Sequence, residues 1–211
     1  MKINRITKRV CFVAFFSALI SAACQFAPVT KQEYRQGNLA FTHFSNWKIT
    51  ADETTKEAVG DVRLVTVEGP NDTIFIATGF PSDVATTLEE YAELLHKESN
   101  EGAKEVTGGF EVVKMEDAAT KPVAAQIAGE TRNGLVREFD AKVLGMPVPH
   151  RVEYYMVEAG AERWFVVAQA SKEDWEKSKN GFQTIFDSLS FGTATEAESG
   201  NRSSEPSSKK K

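Results

Sequence analysis

The sequence predicts an α+β domain in which helices flank an antiparallel β-sheet. Short alternating segments rich in β-branched and aromatic residues recur along the chain, and turn residues separate them. Two further segments have the apolar spacing of an amphipathic helix. Strands joined by short turns pair antiparallel, and helices segregated from them cover the faces of the sheet. The expected architecture is therefore an α/β/α sandwich.

The first 23 residues have the pattern of a secretory signal peptide. Residues 1–9 carry four positive side chains and no acid, and residues 10–23 are uncharged and mostly apolar. A basic region, an apolar stretch of about 7–15 residues and small residues at the cleavage point are typical of such a leader. The uncharged stretch is short for a membrane span, which needs about 20 residues.

Cys24 follows Ser21-Ala22-Ala23 and resembles the lipobox cysteine of bacterial lipoproteins. The resemblance implies cleavage before Cys24 and acylation of that residue, and multiple acyl chains would hold the protein at a membrane. Ser21 stands where the lipoprotein family usually has Leu. Two alternatives stay open: cleavage after Ala23 without a lipid, and an uncleaved leader that acts as the anchor. Gln25 resembles the outer-membrane sorting pattern of Gram-negative lipoproteins.

The rest of the chain divides into a tether (24–37), a folded domain (38–191) and a polar tail (192–211). The tail has almost no apolar side chain and is predicted to be disordered. Residues 24–191 carry 17 positive and 27 negative side chains. Nucleic-acid binding depends on neutralising phosphates with Lys and Arg, so this acidic body argues against such a partner. Cys11 lies in the leader, so no internal disulfide is expected.

Strands and then a helix are predicted for the first half of the domain. Gly69-Pro70-Asn71-Asp72 is dense in turn residues and joins two of the strands as a hairpin. Thr87-Leu88-Glu89-Glu90 is a capping box that begins the helix, and Asn100-Glu101-Gly102 is expected to end it. The predicted strands are residues 39–44, 47–50, 61–68 and 73–80.

Five more strands and a second helix are predicted for the second half. Asn133-Gly134 is a favoured hairpin pair, and Met146-Pro147-Val148-Pro149 is expected to interrupt pairing because proline lacks an amide donor. A second capping box at Ser171 begins a helix over residues 171–190, and Asn180-Gly181 is expected to break or kink it. The predicted strands are residues 109–115, 123–129, 135–144, 148–157 and 163–170.

The order of these elements resembles the PsbP-like family, including bacterial DcrB-type lipoproteins. The motifs that carry the resemblance are Gly37–Phe41 followed by Trp47-Lys48-Ile49, Thr87–Ala92, and Phe182–Phe191. Together they span about 155 residues. The resemblance implies an antiparallel sheet between helices and usually no catalysis, with family members acting as accessory subunits or assembly factors of larger machines. No binding residue of the family matches a motif here.

No arrangement of residues in the sequence indicates catalysis, a metal or another cofactor. His43, His96 and His150 lack the spacing of metal ligands, and a zinc site needs three or four ligands. We interpret them as ordinary surface or edge histidines. The nucleophilic-serine motif Gly-x-Ser-x-Gly is absent from the sequence. The chain is therefore predicted not to be an enzyme.

Surface recognition is the function class that remains. Gly145–Arg151 is the preferred recognition loop, with Met146, Val148 and His150 expected to be exposed and two prolines to make it rigid. Trp47 is a further candidate for partner contact, while an ordinary proline-bearing connection is the alternative for the loop.

Three hypotheses for function follow from the sequence. The first is an exported, lipid-anchored binding or assembly module, which meets the membrane through Cys24 and docks on an unidentified envelope protein. The second is a periplasmic carrier of a small ligand or lipid between sheet and helix. The third is a hydrolase whose motif is not recognisable.

Overall fold

The computed structural model describes residues 28–84, 86–106, 113–115, 118–143 and 146–192. The predicted leader, Cys24 and the polar tail beyond residue 192 lie outside these ranges. The described residues form β1 (Lys31–Gln36), β2 (Leu39–Phe44), β3 (Lys48–Glu57), β4 (Gly60–Glu68), β5 (Ile74–Pro81), α1 (Leu88–Val106), β6 (Val113–Met115), β7 (Lys121–Ile127), β8 (Glu130–Val143), β9 (Met146–Ala159), β10 (Glu162–Ser171), α2 (Lys172–Ser188) and β11 (Ser190–Phe191).

The strands form a large and a small antiparallel sheet. The large sheet has the order β3-β4-β5-β10-β9-β8-β6, with β7 also paired to β8. The small sheet has the order β1-β2-β11. The predicted α+β class is confirmed, because every strand pair is antiparallel and the two helices follow separate groups of strands.

Successive side chains of β10 point to opposite faces of the large sheet and belong to two separate hydrophobic cores. Trp164, Val166 and Ala168 join Phe182 and other α2 residues in one core. Phe165 and Val167 point to the opposite face, where they meet residues of α1 such as Tyr91. Successive strand side chains point to opposite faces, so one strand serves both layers. The sheet is therefore buried between helices on its two sides.

Several local predictions are confirmed. The Thr87 hydroxyl accepts from the Glu90 amide at 3.2 Å, and the Glu90 carboxylate accepts from the Thr87 amide at 3.0 Å. Ser171 caps α2 by accepting from the Asp174 amide at 3.1 Å. The β4–β5 hairpin and the order β8, β9, β10 as adjacent strands also agree with the sequence.

The tether was predicted too long, because β1 occupies residues 31–36 and pairs with β2 over six positions. The network that holds β1 is not visible in the sequence. Tyr34 donates a hydrogen bond to Asp52 of β3, and Arg63 of β4 donates to the Tyr34 hydroxyl at 2.9 Å. Polar contacts with distant strands thus order a segment that has little apolar content of its own.

The predicted turn at Asn133-Gly134 is wrong. Both residues lie within β8, and the hairpin turn falls at Ala128-Gly129, between paired Ile127 and Glu130. Both turn residues have positive φ, 54° and 78°, as a two-residue hairpin of this kind requires. Gly134 serves a different purpose, since a Cβ there would lie 2.4 Å from the Tyr154 carbonyl oxygen.

The predicted interruption at Met146–Pro149 is also wrong, because these residues form the start of β9 and pair with β8. On its other side β9 meets β10 only from His150 onward, where His150 lies opposite Ser171. Residues 146–149 therefore have a strand on one side only. Prolines are tolerated in strands that have such a free side.

Both helices differ from the sequence prediction at one point each. Helix α1 continues through Gly102 to Val106. Helix α2 runs without a break through Asn180-Gly181. Gly181 gives space to the indole of Trp47, since a Cβ at 181 would lie 2.1 Å from Cζ2 of that ring. The absence of a side chain at Gly181 therefore allows the Trp47 indole to pack closely against the helix.

Candidate functional site: a charged cleft at the divided edge of the sheet

The outer edge of β8 is shared by two strands. Strand β7 pairs with residues 130–136 of β8, and β6 pairs with residues 141–143. Residues 137–140 lie between these two pairings and have neither strand beside them. The interruption places a depression in the edge of the large sheet.

A cleft of about 450 Å³ lies at this interruption. We call it the edge cleft. Strand β8 supplies one wall, the start of β7 and the residues before it supply another, and β9 and α2 contribute one cation each. The lining residues are Ala118, Ala119, Lys121, Pro122, Val136, Glu138, Phe139, Asp140, Arg151 and Lys172.

Ion pairs connect three elements across the edge cleft. Glu138 accepts from Lys172 Nζ at 2.9 Å and from Arg151 Nη1 at 3.2 Å. The hydrogen bond from Lys172 holds the pKa of Glu138 below its ordinary value, and the charges of Lys172, Arg151 and Lys121 act in the same direction. Glu138 therefore stays ionised and fixes the start of α2 against the sheet.

Arg151 is held on three sides. Its Nε and Nη2 donate to Oε1 of Glu153 at 3.0 and 2.6 Å, and its guanidinium lies 4.9 Å from the ring centroid of Trp175. Oε2 of Glu153 accepts from the buried hydroxyl of Tyr155 at 2.6 Å. Burial of that hydroxyl and its bond to Glu153 raise the pKa of Tyr155. Contacts within the domain thus hold the arginine in place.

Charged side chains supply half of the residues that line the edge cleft. Its described residues include no serine, threonine, cysteine or histidine. The carboxylate of Glu138 is engaged by two cations. Three cations and two acids in one depression suit a polypeptide surface that carries charges of its own.

The three predicted recognition residues lie on the same face of β9 but differ in exposure. Met146 is 64% exposed, whereas Val148 is half-buried. The prediction that His150 is exposed is wrong, because only 9% of it is accessible. Its ring stacks on Phe139 at 5.7 Å, and its Nδ1 donates to the Val148 carbonyl at 2.8 Å. Met146 alone has an open side chain.

Trp47 is buried and is not available to a partner. Only 4% of the residue is exposed, and its ring meets Phe182 edge-on with centroids 5.3 Å apart. Gly69 and Gly181 leave room for the indole on two sides. The prediction that Trp47 contacts a partner is therefore corrected: it belongs to the core between the large sheet and α2.

All three histidines are buried, which corrects the expectation of surface or edge positions. The exposed fractions of His43, His96 and His150 are 6%, 6% and 9%. His96 and His150 both contact Phe139, at centroid distances of 5.6 and 5.7 Å. Within the described ranges, no group of three or more His, Cys, Asp or Glu side chains is placed to hold a metal ion.

The residues of the edge cleft were missed by sequence reasoning. Glu138 and Arg151 become neighbours only through the register of β8 and β9, where they lie directly opposite each other. Lys172 joins them from a helix 34 positions later in the chain. An alternating strand with a charge on its polar face is the only signal that the sequence contains, and many solvated strands share it.

The comparisons with known proteins concern the fold. No family model matches the chain, and no curated protein matches its sequence. The chain is similar to the solution structure of cyanobacterial PsbP (CyanoP) from Synechocystis sp. PCC 6803, with 13% identity, a TM-score of 0.43 and coverage of 82% of this chain and 98% of that chain.

A second similar structure is LpqN, a protein involved in cell envelope biogenesis of Mycobacterium tuberculosis. The identity is 7% and the TM-score 0.37, with coverage of 78% of this chain and 91% of that chain. PA94 from Pseudomonas aeruginosa, of unknown function, has 12% identity and a TM-score of 0.32, with coverage of 74% and 95%. These scores are too low to carry an argument, so the α+β class rests on the observed strands and helices.

The membrane attachment predicted at Cys24 concerns a residue outside the described ranges. Neither helix in the part of the chain that the structure describes is long and apolar enough to cross a bilayer.

Proposed function

We propose that this chain is an exported, lipid-anchored and non-catalytic binding or assembly module of the cell envelope. Cys24 would attach it to the membrane, and the edge cleft would receive a charged segment of an envelope protein. The single observation that supports this role is the edge cleft, where Arg151, Lys172 and Glu138 are fixed by contacts within the domain. Prepositioned charges reduce the entropy lost when a partner binds.

The carrier hypothesis has less support. The core beside α2 is filled by aromatic rings, including Trp47, Phe182 and Phe186. Phe186 also contacts Phe75 and Tyr155 at centroid distances of 6.3 and 5.6 Å. A lipid or apolar ligand would have to displace these rings, because close-packed interiors leave little unoccupied volume.

Site-specific photocrosslinking in native membranes tests the binding role. A photoreactive amino acid replaces Lys121, an exposed residue of the edge cleft, in the full-length protein. The matched control replaces Lys56, an exposed residue of β3 at the opposite edge of the large sheet. We expect one discrete protein adduct from position 121 and none from position 56.

Charge substitutions test whether formation of the crosslinked adduct depends on the edge cleft. Asp140→Lys changes the charge of the cleft and should reduce the adduct at least about tenfold, as expected when charges that steer association become repulsive. Glu57→Lys on β3 should leave it unchanged. An unaltered adduct in Asp140→Lys would contradict recognition by the edge cleft, and a co-purified small molecule with no protein adduct would favour the carrier.

A further inference from the structure

The start of β9 and the end of β8 extend past the end of β10 in the large sheet, and β6 lies beside β8 there. Strand β10 ends at Ser171, opposite His150. Strand β9 begins four residues earlier at Met146, which pairs with Val143. At about 3.4 Å per residue, the start of β9 lies about 14 Å beyond the end of β10. Residues 146–149, called the tip here, therefore project beyond β10 at this end of the sheet.

The tip is apolar and poor in backbone donors. Met146 is 64% exposed, Pro147 and Pro149 are exposed, and Val148 is half-buried. Residues 146–149 lack a neighbour on the β10 side, and two of the four have no amide hydrogen. Fewer unpaired amides lower the cost of moving this segment out of water.

The N-terminal segment leaves the domain toward the same end. The Thr30 carbonyl accepts from the Ser45 amide at 2.8 Å, so the path beside β2 is defined up to Thr30. Ser45 leads within three residues to Lys48, the first residue of β3. Val29, just outside this path, and Met146 are the large hydrophobic residues that the described ranges leave exposed.

The pairing of residues across the strands shows how far the start of β3, near the N-terminal segment, lies from the tip along the strand direction. Lys48 pairs with Glu68, Glu68 with Ile74, and Ile74 with Gln169 of β10. The tip at Met146 lies six positions farther along the strand direction, or about 20 Å. Cys24 precedes Thr30 by six residues, which span at most about 20 Å when extended. An extended segment between Thr30 and Cys24 would therefore be long enough to bring a lipid on Cys24 to the level of the tip.

We propose that Met146–Pro149 at the tip of the β8–β9 ribbon rests in the interfacial layer of the bilayer that holds the acylated Cys24. The proposal rests on the lipid attachment in the proposed function. Two exposed hydrophobic residues are too few for a stable protein interface, which buries about 800 Å² per partner. They suffice to orient a domain that acyl chains already hold at the surface.

Lipid rather than protein is also favoured by the charges around the tip. Lys121, Arg151 and Lys172 face Glu138 and Asp140 in the neighbouring edge cleft, so these acids offset most of the cationic charge there. The contact should accordingly depend on apolar insertion and persist at high salt, where attraction between exposed charges is screened.

Depth-dependent fluorescence quenching tests the proposal. The acylated full-length protein is purified from native membranes, its mass is measured, and it is reconstituted in phosphatidylcholine vesicles that contain spin-labelled lipid. Met146→Cys carries an environment-sensitive fluorophore. The control is Ala161→Cys, an exposed position in the turn between β9 and β10 at the opposite end. We expect a blue shift and loss of emission at 146, and neither at 161.

The outcomes separate the two proposals. Unquenched emission at 146 in protein of acylated mass would overturn the bilayer contact while the lipid anchor stands. Shielding of position 146 from aqueous iodide without quenching by the spin-labelled lipid would mean that protein covers the tip, which also overturns it. An unacylated mass would remove the anchor and the inference together. Quenching at Val29→Cys as well as at 146 would support a common membrane-facing end.

Discussion

The indole of Trp47 occupies the space in which any side chain at Gly181 would have to lie. The Cβ of such a side chain would approach Cζ2 of the indole to 2.1 Å. This contact explains why a glycine interrupts the sequence pattern of α2 without interrupting the helix. It also ties the connection between β2 and β3 to the middle of α2.

Gly181→Ala should destabilise the domain by about 2 kcal/mol. Alanine gains up to about 1 kcal/mol in helix propensity, but overpacking a close contact costs about 1–3 kcal/mol and this contact is severe. The measurement is urea unfolding, with Lys179→Ala on the exposed face of α2 as control. In a Trp47→Leu background the same glycine substitution should become neutral or stabilising. Equal stability of Gly181→Ala and wild type would contradict the packing.

The protonated phenol of Tyr34 should stabilise the folded domain, and this stabilisation should disappear at high pH. Burial and its bond to Asp52 raise the pKa of Tyr34 to about 12, from an ordinary value of 10.0. A raised pKa means that the protonated phenol is favoured in the folded state. Its contribution is complete below pH 10 and is lost as the pH rises toward 12.

Tyr34→Phe should therefore cost about 1 kcal/mol at pH 8, where one hydrogen-bonded hydroxyl is lost. The difference from wild type in urea unfolding should shrink between pH 10 and 12. Tyr155→Phe, which changes a tyrosine in another network, serves as the comparison variant. A difference that is constant across this pH range would contradict the proposed titration.

Arg137 and Glu93 should respond unequally to substitution. The Arg137 side chain is 1% exposed and its Nη2 bonds to Glu93, whose side chain is 68% exposed. Nε and Nη1 of Arg137 are buried without a hydrogen-bond partner. Removing one partner of such a pair leaves a buried charge uncompensated, whereas an apolar replacement of the charge is often neutral or better.

We expect Glu93→Ala to destabilise the domain by about 2 kcal/mol, and Arg137→Met to be neutral or stabilising. The double variant should resemble Arg137→Met alone. Chemical unfolding of the three variants gives the coupling energy, with Glu89→Ala on the exposed face of α1 as the control. Additive effects of the two substitutions would show that the ion pair does not determine the stability of this region.

Glu138 should titrate below the ordinary range of a glutamate. The hydrogen bond from Lys172 is the main cause of the lowered pKa. Carboxyl carbon chemical shifts followed by NMR across acid pH would measure it. Lys172→Met should raise the pKa of Glu138, and Lys177→Met, which removes a cation that bonds to Asp174 instead, should leave it unchanged. An equal pKa in both variants would contradict the ion pairs of the edge cleft.

Local signals predicted much of the fold. The capping residues Thr87 and Ser171 act on amides three positions away, so a short sequence window contains all the information. The hairpin turn at Asn133-Gly134 was predicted on the same basis and is wrong. Ile127 is fully buried, and Gly134 is needed where β8 approaches Tyr155, so tertiary packing selected Ala128-Gly129 for the turn.

The edge cleft could not be predicted, because its residues meet only through long-range register. Glu138, Arg151 and Lys172 belong to three elements, and each looks like an ordinary solvated charge in its own segment. Trp47 shows the opposite case, since a tryptophan outside any clear apolar pattern suggested a surface role. Two glycines far apart in the sequence, Gly69 and Gly181, create the space that buries it.

The chain enters and leaves the small sheet at opposite ends. Lys31 begins β1 opposite Phe44, while Phe191 pairs with Leu39 at the other end of β2, and the Gly192 amide bonds to the Asn38 carbonyl. Antiparallel hydrogen bonds run perpendicular to the strands. A mechanical pull between the two termini would therefore load the six β1–β2 pairs together in shear. The β1–β2 pairs would resist such a force, whereas β11, with two pairs, would yield first.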